Sequence, residues 1–273
     1  MSIKLDKHDV KAPDQMTKTL REGFVWTTGH SKAVIAAIAL FVVVGAGASI
    51  YGYLSSKKEV ALQEQYFVVE KEYTEKKRGF DEVARAELMA AQAKDKKNLP
   101  PVDASKKASG DLQKDFGTVI TGFENIISES PNTTAAQMAA LNLSDIYSNY
   151  KKSDEAFATL AKVEKGLAKS AAMTALVLQK MGTLLADKND CKGAVEKWQA
   201  VVDRKGLAFA HDEVKLRMGL CYESMNDLDK AEQLYTDVSK NQDANTSDFV
   251  ASKDAQKYLR LLKAKKNLST SGT

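Results

Sequence analysis

Residues 33–54 read AVIAAIALFVVVGAGASIYGYL, with no charged side chain. At helical rise, a run of this length spans roughly 33 Å, against about 30 Å for the hydrocarbon core of a bilayer. Lys32 precedes the run, and Lys57 and Lys58 follow it. Tyr51 and Tyr53 lie near its far end, where amphipathic rings favour a membrane interface. The pattern predicts a transmembrane helix over 33–54, behind a cytoplasmic tail of residues 1–32. A cleaved secretory signal is the main rival, because Ala46-Gly47-Ala48 resembles a small-residue cleavage pattern. The long segment before the run and its apolar continuation through Ile50, Tyr51 and Leu54 speak for the anchor. A buried core helix is the third reading, and such helices are seldom apolar over this length.

Basic residues near the run set its orientation. Lys18, Arg21 and Lys32 stand on the N-terminal side, against Lys57 and Lys58 on the other. The bias is slight and favours a cytoplasmic N-terminus with the large domain outside. Gly45, Ala48, Ser49 and Gly52 give small-xxx-small spacings, which either pack against a partner helix or reflect the ordinary glycine content of membrane spans.

Beyond the run the apolar positions recur at helical rather than strand spacing, and prolines are confined to Pro13, Pro100, Pro101 and Pro131. The fold class expected is all-α. Over residues 133–245 one pattern recurs three times. A small residue is preceded by a bulky residue at minus one and followed by another at plus three. An alanine stands at plus twelve, a bulky residue at plus sixteen and an aliphatic at plus nineteen. The copies are Leu143, Ser144, Tyr147, Ala156, Leu160, Val163; then Met181, Gly182, Leu185, Ala194, Trp198, Val201; then Met218, Gly219, Tyr222, Ala231, Tyr235, Val238. Their offsets are 38 and 37 residues. An antiparallel helix pair per unit explains the pattern. The small residue admits close approach, the alanine is expected to fill the other side of that contact, and bulky residues fill the layer between pairs.

Polar turns fall at 151–154, 187–190 and 226–227, with Ser153, Asp190 and Asp227 placed to cap each second helix. Gly166 and Gly206 stand between units, where helix C-caps are expected. Thr134 and Gln137 read as a capping box.

This pattern resembles the tetratricopeptide repeat (TPR), although the units are slightly longer than the usual 34 residues and lack the early tryptophan. The resemblance implies an α-solenoid of degenerate TPR hairpins. Val119, Phe123, Ile126 and Pro131 match the second half of a further unit. Its first helix would come from residues 60–95, on a stripe of Phe67, Val68, Tyr73, Phe80, Val83, Ala84 and Leu88, within a membrane-proximal hairpin over 55–132. A loop is expected near 97–111, because Pro100-Pro101 cannot continue a helix. Within 246–273, a last helix capped by Ser247 would cover the stack with Ala251, Ala255, Tyr258, Leu259 and Leu262.

The resemblance also implies a binding surface on the first helices. It carries over to Met138, Leu141 and Asp145, to Leu176, Gln179 and Thr183, and to Glu213, Leu216 and Leu220. The lysines and asparagines of the carboxylate-clamp TPR subset are missing there. The expected groove is apolar with a few polar groups, suited to an extended or helical hydrophobic segment. Equally open is that some of these side chains belong to the core.

In a TPR stack, Cys191 and Cys221 lie at the same edge. A disulfide between them is one reading and implies an oxidising compartment; two unpaired buried cysteines are the other.

Composition adds exclusions. A net charge of +4 on 40 basic and 36 acidic residues gives no strong field, and basic clusters lack interleaved aromatics, so nucleic acid is not an expected partner. The runs of mixed sign, such as KEYTEKKR at 71–78, read as solvated helix faces. His211 is the only histidine beyond the apolar run, and nothing in the sequence orients it toward a cysteine. Metal spacings, phosphate-binding glycine loops and paired carboxylate motifs are absent. No catalytic site, metal, cofactor or small-molecule substrate is expected.

In layout the whole chain resembles the YfgM-type ancillary proteins of the bacterial Sec translocon. That resemblance implies an inner-membrane protein with a periplasmic domain, acting as a chaperone-like or scaffolding partner. Its expected partners are translocon subunits, a membrane-anchored periplasmic chaperone or unfolded client segments. The alternative is a structural adaptor of another envelope or secretion complex.

Overall fold

The computed structural model describes residues 19, 24, 26, 30–92, 103–240 and 247–271. The described residues are helical throughout apart from turns and short connections. They divide into two compact units, Met1–Lys58 and Glu59–Thr273. The basic residues Lys18 and Arg21, and the Pro100-Pro101 break, lie outside the described residues.

In the first unit the helix α1 (Ser31–Gln92) carries the apolar run. Phe41, Val42, Val43, Val44, Tyr51 and Tyr53 are all exposed. Ser49 donates its hydroxyl to the Gly45 carbonyl at 2.9 Å, so that polar group is satisfied within the helix. This helix is long and apolar enough to cross a membrane, with none of its apolar window buried against protein.

In the second unit, residues 59–92 of α1 pair with α2 (Leu112–Glu129). Three hairpins follow: α3 (Thr134–Asn149) with α4 (Ser153–Val163), α5 (Ala171–Asp187) with α6 (Cys191–Val202), and α7 (His211–Ser224) with α8 (Leu228–Ser239). The last helix is α9 (Ser247–Ser271). One continuous core runs from Leu62 to Cys221, and a second joins Leu216, Ala231, Tyr235 and Val238 to Ala251, Ala255 and Leu262 of α9. Lys266 on α9 reaches Asp229 and Glu232 on α8, both at 2.7 Å.

The repeat register corresponds to real packing, with one correction. Ala156, Ala194 and Ala231 are fully buried, as are Ser144 and the bulky residues Leu143 and Met181 that precede the first two small positions. But the residue that presses on the small position is the one at plus sixteen, not the alanine. A Cβ on Gly182 would run into the Trp198 indole, and one on Gly219 into the Tyr235 ring. The large flat rings lie across the first helix, and glycine is the residue that lets them in.

The turns inside the hairpins are identical. Lys151, Asn189 and Asn226 each stand seven residues after the small position and have φ of 60°, 64° and 62°. In each, the following residue donates its N–H back to Tyr147, Leu185 or Tyr222, at 2.8, 2.9 and 2.8 Å. The left-handed residue itself donates to Ser148, Ala186 or Glu223. These are three Schellman endings, which satisfy carbonyls that a helix end would otherwise leave bare. Asp190 and Asp227 then cap the next helix through Gly193 N and Lys230 N. Ser153 makes no such cap; α4 starts from Lys152 without a side-chain acceptor.

Gly166 and Gly206 do not end helices in the left-handed conformation. They sit inside short 3-10 turns, Glu164–Lys169 and Lys205–Ala210. Gly166 is small because the Asn132 backbone passes against it. The capping box at Thr134 is also displaced. Thr133 is the N-cap, Gln137 donates instead to the Gly166 carbonyl at 3.0 Å, and the Glu59 carboxylate accepts from Thr134 N at 2.9 Å and Ala135 N at 3.4 Å. A carboxylate at a helix N-terminus is favoured by both hydrogen bonding and the helix dipole.

The face of α1 in this unit differs from the expected stripe. Leu62, Tyr66, Tyr73 and Val83 are buried, with Val69 and Phe80 packed beside them, whereas Phe67, Val68 and Leu88 are exposed. From Leu62 through Tyr66 and Val69 to Tyr73 the inward positions step by four, three and four residues, the spacing of one helix face, and Phe67 and Val68 fall off it. The rings of Tyr66, Tyr73, Phe80, Phe116 and Phe123 pack with centroids 5.4 to 6.0 Å apart, the Tyr73–Phe123 and Phe80–Phe116 pairs edge to face and the other two tilted. Beneath them Asp115 is buried, accepting from Ser109 N (2.9 Å), Gly110 N (3.0 Å) and the Tyr150 hydroxyl (2.6 Å). Burial opposes its charge, but these three donors outweigh burial and hold the carboxyl below its ordinary range.

Candidate interaction surface

The first helices α3, α5 and α7 stand side by side and carry all nine expected groove positions. The structure separates them into three groups. Met138 and Leu141 are half-buried against the core. Leu176 is 47% exposed and Leu220 39% exposed. Leu216 is 7% exposed and belongs to the core beneath α9, not to an open groove. The cause is the end of the array: α9 lies where a following unit would lie, and it covers α7 on the side where Leu216 projects.

The polar positions are engaged with one another in a regular ladder. Two residues before each small position, a polar side chain reaches back to the preceding first helix. Asn142 donates to the Tyr66 hydroxyl at 3.0 Å. Lys180 pairs with Asp145 at 2.5 Å. Arg217 donates to the Thr183 hydroxyl at 3.4 Å and is held by Glu213 at 2.7 Å. Asp145 and Thr183 both follow their small residue by one, so the same two offsets meet at successive junctions. Gln179 contributes its carbonyl, which accepts from Trp198 Nε1 at 3.2 Å and from Thr183 Oγ1 at 3.0 Å. The sequence alone pointed to Asp145, Glu213 and Thr183 but passed over Asn142, Lys180 and Arg217. The signal was present: all three stand at minus two of the repeat.

The exposed positions form a mixed surface. Exposed leucines flank a polar ladder whose members already have partners. The ion pairs are partly solvated, and each is worth no more than about 1 kcal/mol. The Lys180–Asp145 pair ties α5 to α3, whereas Glu213 holds Arg217 within α7.

Between α5 and α7 lies a cavity of about 240 Å³, walled by Thr183, Ala186, Trp198, Arg217 and Leu220. Cys191 and Cys221 also line it, and the two are joined in a disulfide with a Cα–Cα distance of 5.2 Å. Cys191 opens α6 and Cys221 lies in α7, so the bond clamps two successive units. His211, the first residue of α7, sets its Nε2 3.2 Å from the Arg204 carbonyl, a contact within its own turn. Among the described residues, no three His, Cys, Asp or Glu side chains gather as a metal site would require.

No protein-family model matches the chain, and no curated protein matches it. Several solved structures resemble part of it. A crystal structure of MamA protein is 20% identical, covering 59% of this chain and 81% of its own, with a TM-score of 0.43. A second crystal structure of MamA is 19% identical, with a TM-score of 0.38 over 60% of this chain and 98% of its own. A kinesin light chain with nearly identical TPR-like repeats, from Podosopora anserina, is 13% identical over 59% of this chain and 85% of its own, with a TM-score of 0.44. The described residues themselves form an all-α array of successive antiparallel helical hairpins.

Proposed function

We propose that this chain is a membrane-anchored protein-interaction module whose contact surface is formed by α3, α5 and α7. The observation that carries this reading is the pair of exposed leucines, Leu176 and Leu220, on successive first helices flanking the polar ladder. A partner segment would bury the leucines, while the ladder holds the helices at constant spacing. Because fold does not fix function, the partner is read from the setting. An apolar helix followed by a repeat array suits the periplasmic face of an inner membrane, with residues 1–32 in the cytoplasm. The disulfide suits the same oxidising compartment. In that setting the module acts as a chaperone-like or scaffolding partner of the Sec translocon, contacting translocon subunits, a membrane-anchored chaperone or exported segments.

The ladder favours one second reading. A surface with few free apolar groups suits a defined folded partner better than a range of unfolded clients, which is the adaptor role in another envelope complex. Crosslinking of the full-length protein in its native membrane, followed by mass spectrometry of what copurifies, separates the two. Translocon subunits are the expected catch, reduced in a Leu176→Asp, Leu220→Asp variant that keeps its helical signal. Reproducible recovery of a different complex, with no translocon component, would overturn the translocon reading.

A further inference from the structure

We propose that the Cys191–Cys221 bond is a reducible modification site, and that the cavity between α5 and α7 is the port through which a dithiol reaches it. The first observation is access. Both cysteines are nearly buried, at 9% and 4% exposed, yet both line a cavity whose rim residue Leu220 is open to solvent. The second is asymmetry. Cys191 is the first residue of α6, a helix of 12 residues, whereas Cys221 lies in the last turn of α7. A thiolate at a helix N-terminus is stabilised by the dipole and the unpaired amides, so Cys191 is the better leaving group.

The exchange follows from that asymmetry. One thiolate of the dithiol attacks Cys221 Sγ. The sulfur–sulfur bond breaks, and its electron pair leaves on Cys191 Sγ, which takes up a proton from water. The second thiol, as thiolate, then attacks the reductant's sulfur in the mixed disulfide and frees Cys221, which is also protonated. The dithiol departs as a disulfide, and the protein gains two electrons and two protons.

The consequence falls on one junction. The chain between the two helices runs through the irregular turn Lys205–Ala210, anchored by Leu207 and Ala210 while Phe209 stands 55% exposed. With the bond open, α6 and α7 lose their covalent tie, and the Thr183–Arg217 rung beside the cavity loses its clamp. Reduction therefore loosens the interaction surface between α5 and α7 and leaves α2 to α4 untouched. This inference is independent of which protein binds there.

The test uses the full-length chain in detergent, with dithiothreitol as the dithiol and alkylation mass shifts as the readout. Under native conditions the bond is expected to open, and in Leu220→Trp, which plugs the port, to open about tenfold more slowly. Reduction that begins only at denaturant concentrations that unfold the array would overturn the proposal. So would a folded Leu220→Trp variant reduced as fast as the parent. If that variant fails to fold, Leu220→Ala takes its place. It widens the port and is expected to speed reduction, and an unchanged rate overturns the proposal. Hydrogen exchange completes the test. Amides in the first turn of α6 and the last turn of α7 should exchange about tenfold faster after reduction, with α2 to α4 unchanged. No difference between the two forms would refute the coupling.

Discussion

The hairpin of α1 and α2 and the three hairpins after it pack the same kind of helix pair by opposite means. In the repeats, a small residue on the first helix receives a large side chain from the second: Gly182 takes Trp198, and Gly219 takes Tyr235. In the α1–α2 hairpin the close approach is reversed. The glycine is Gly122 on the second helix, and it meets Val69 from the first. The space on either side is filled by five aromatic rings rather than by one large residue per unit. The repeated units therefore depend on where volume is missing, and the first hairpin depends on where volume is supplied.

That contrast can be broken most sharply from the aromatic side. Phe123 is fully buried and touches both Tyr66 and Tyr73. Phe123→Ala should lower stability by about 3–5 kcal/mol, measured by denaturant unfolding with α1–α2 opening first in hydrogen exchange. A cost under about 1 kcal/mol would mean that the rings are not the core of this hairpin.

In the repeats the damaging change is the smallest possible enlargement. Gly219→Ala improves helix propensity by about 1 kcal/mol, yet its methyl meets the Tyr235 ring. The expected net loss is about 1–2 kcal/mol, and it should be recovered in part by Tyr235→Leu in the same chain. If the single variant is more stable than the parent, the close approach does not constrain the repeat.

The smallest effect sharpens the comparison within the repeats. Two of the three left-handed turn positions hold asparagine, which tolerates that conformation, and the third holds Lys151. Lys151→Asn should raise the melting temperature by a few degrees, about 0.5–1 kcal/mol. The same change at Lys152, where φ is −102°, should do nothing comparable.

The residues that were legible in the sequence are those whose role is set inside one unit. Leu143, Met181 and Met218, and the alanines twelve after each small position, recur because each unit must close on itself. The aspartate caps at 190 and 227 were readable for the same reason. What escaped notice depends on neighbours. Glu59 caps a helix that starts 75 residues later, and nothing local marks it. Gly166 reads as a helix stop, yet it is small because Asn132 crosses it. Leu216 occupies a groove position by offset but is buried because the array ends at α9. Tyr66 and Leu62 lost to Phe67 and Val68 because four apolar residues in one short stretch define a face only once the partner helix is known. In the candidate surface the partners of Asn142, Lys180 and Arg217 could not be read from one unit, since a rung is shared by two.

The disulfide has a mechanical meaning as well as a chemical one. The bond short-circuits a sequence separation of 30 residues in the middle of the array. Fully extended, that much chain is worth about 100 Å. If the array is pulled between its N-terminal helix and a bound partner, the oxidised chain withholds this slack even after its helices give way. A protein tethered at one end and loaded at the other would then have two reaches, a short one when oxidised and a long one when reduced.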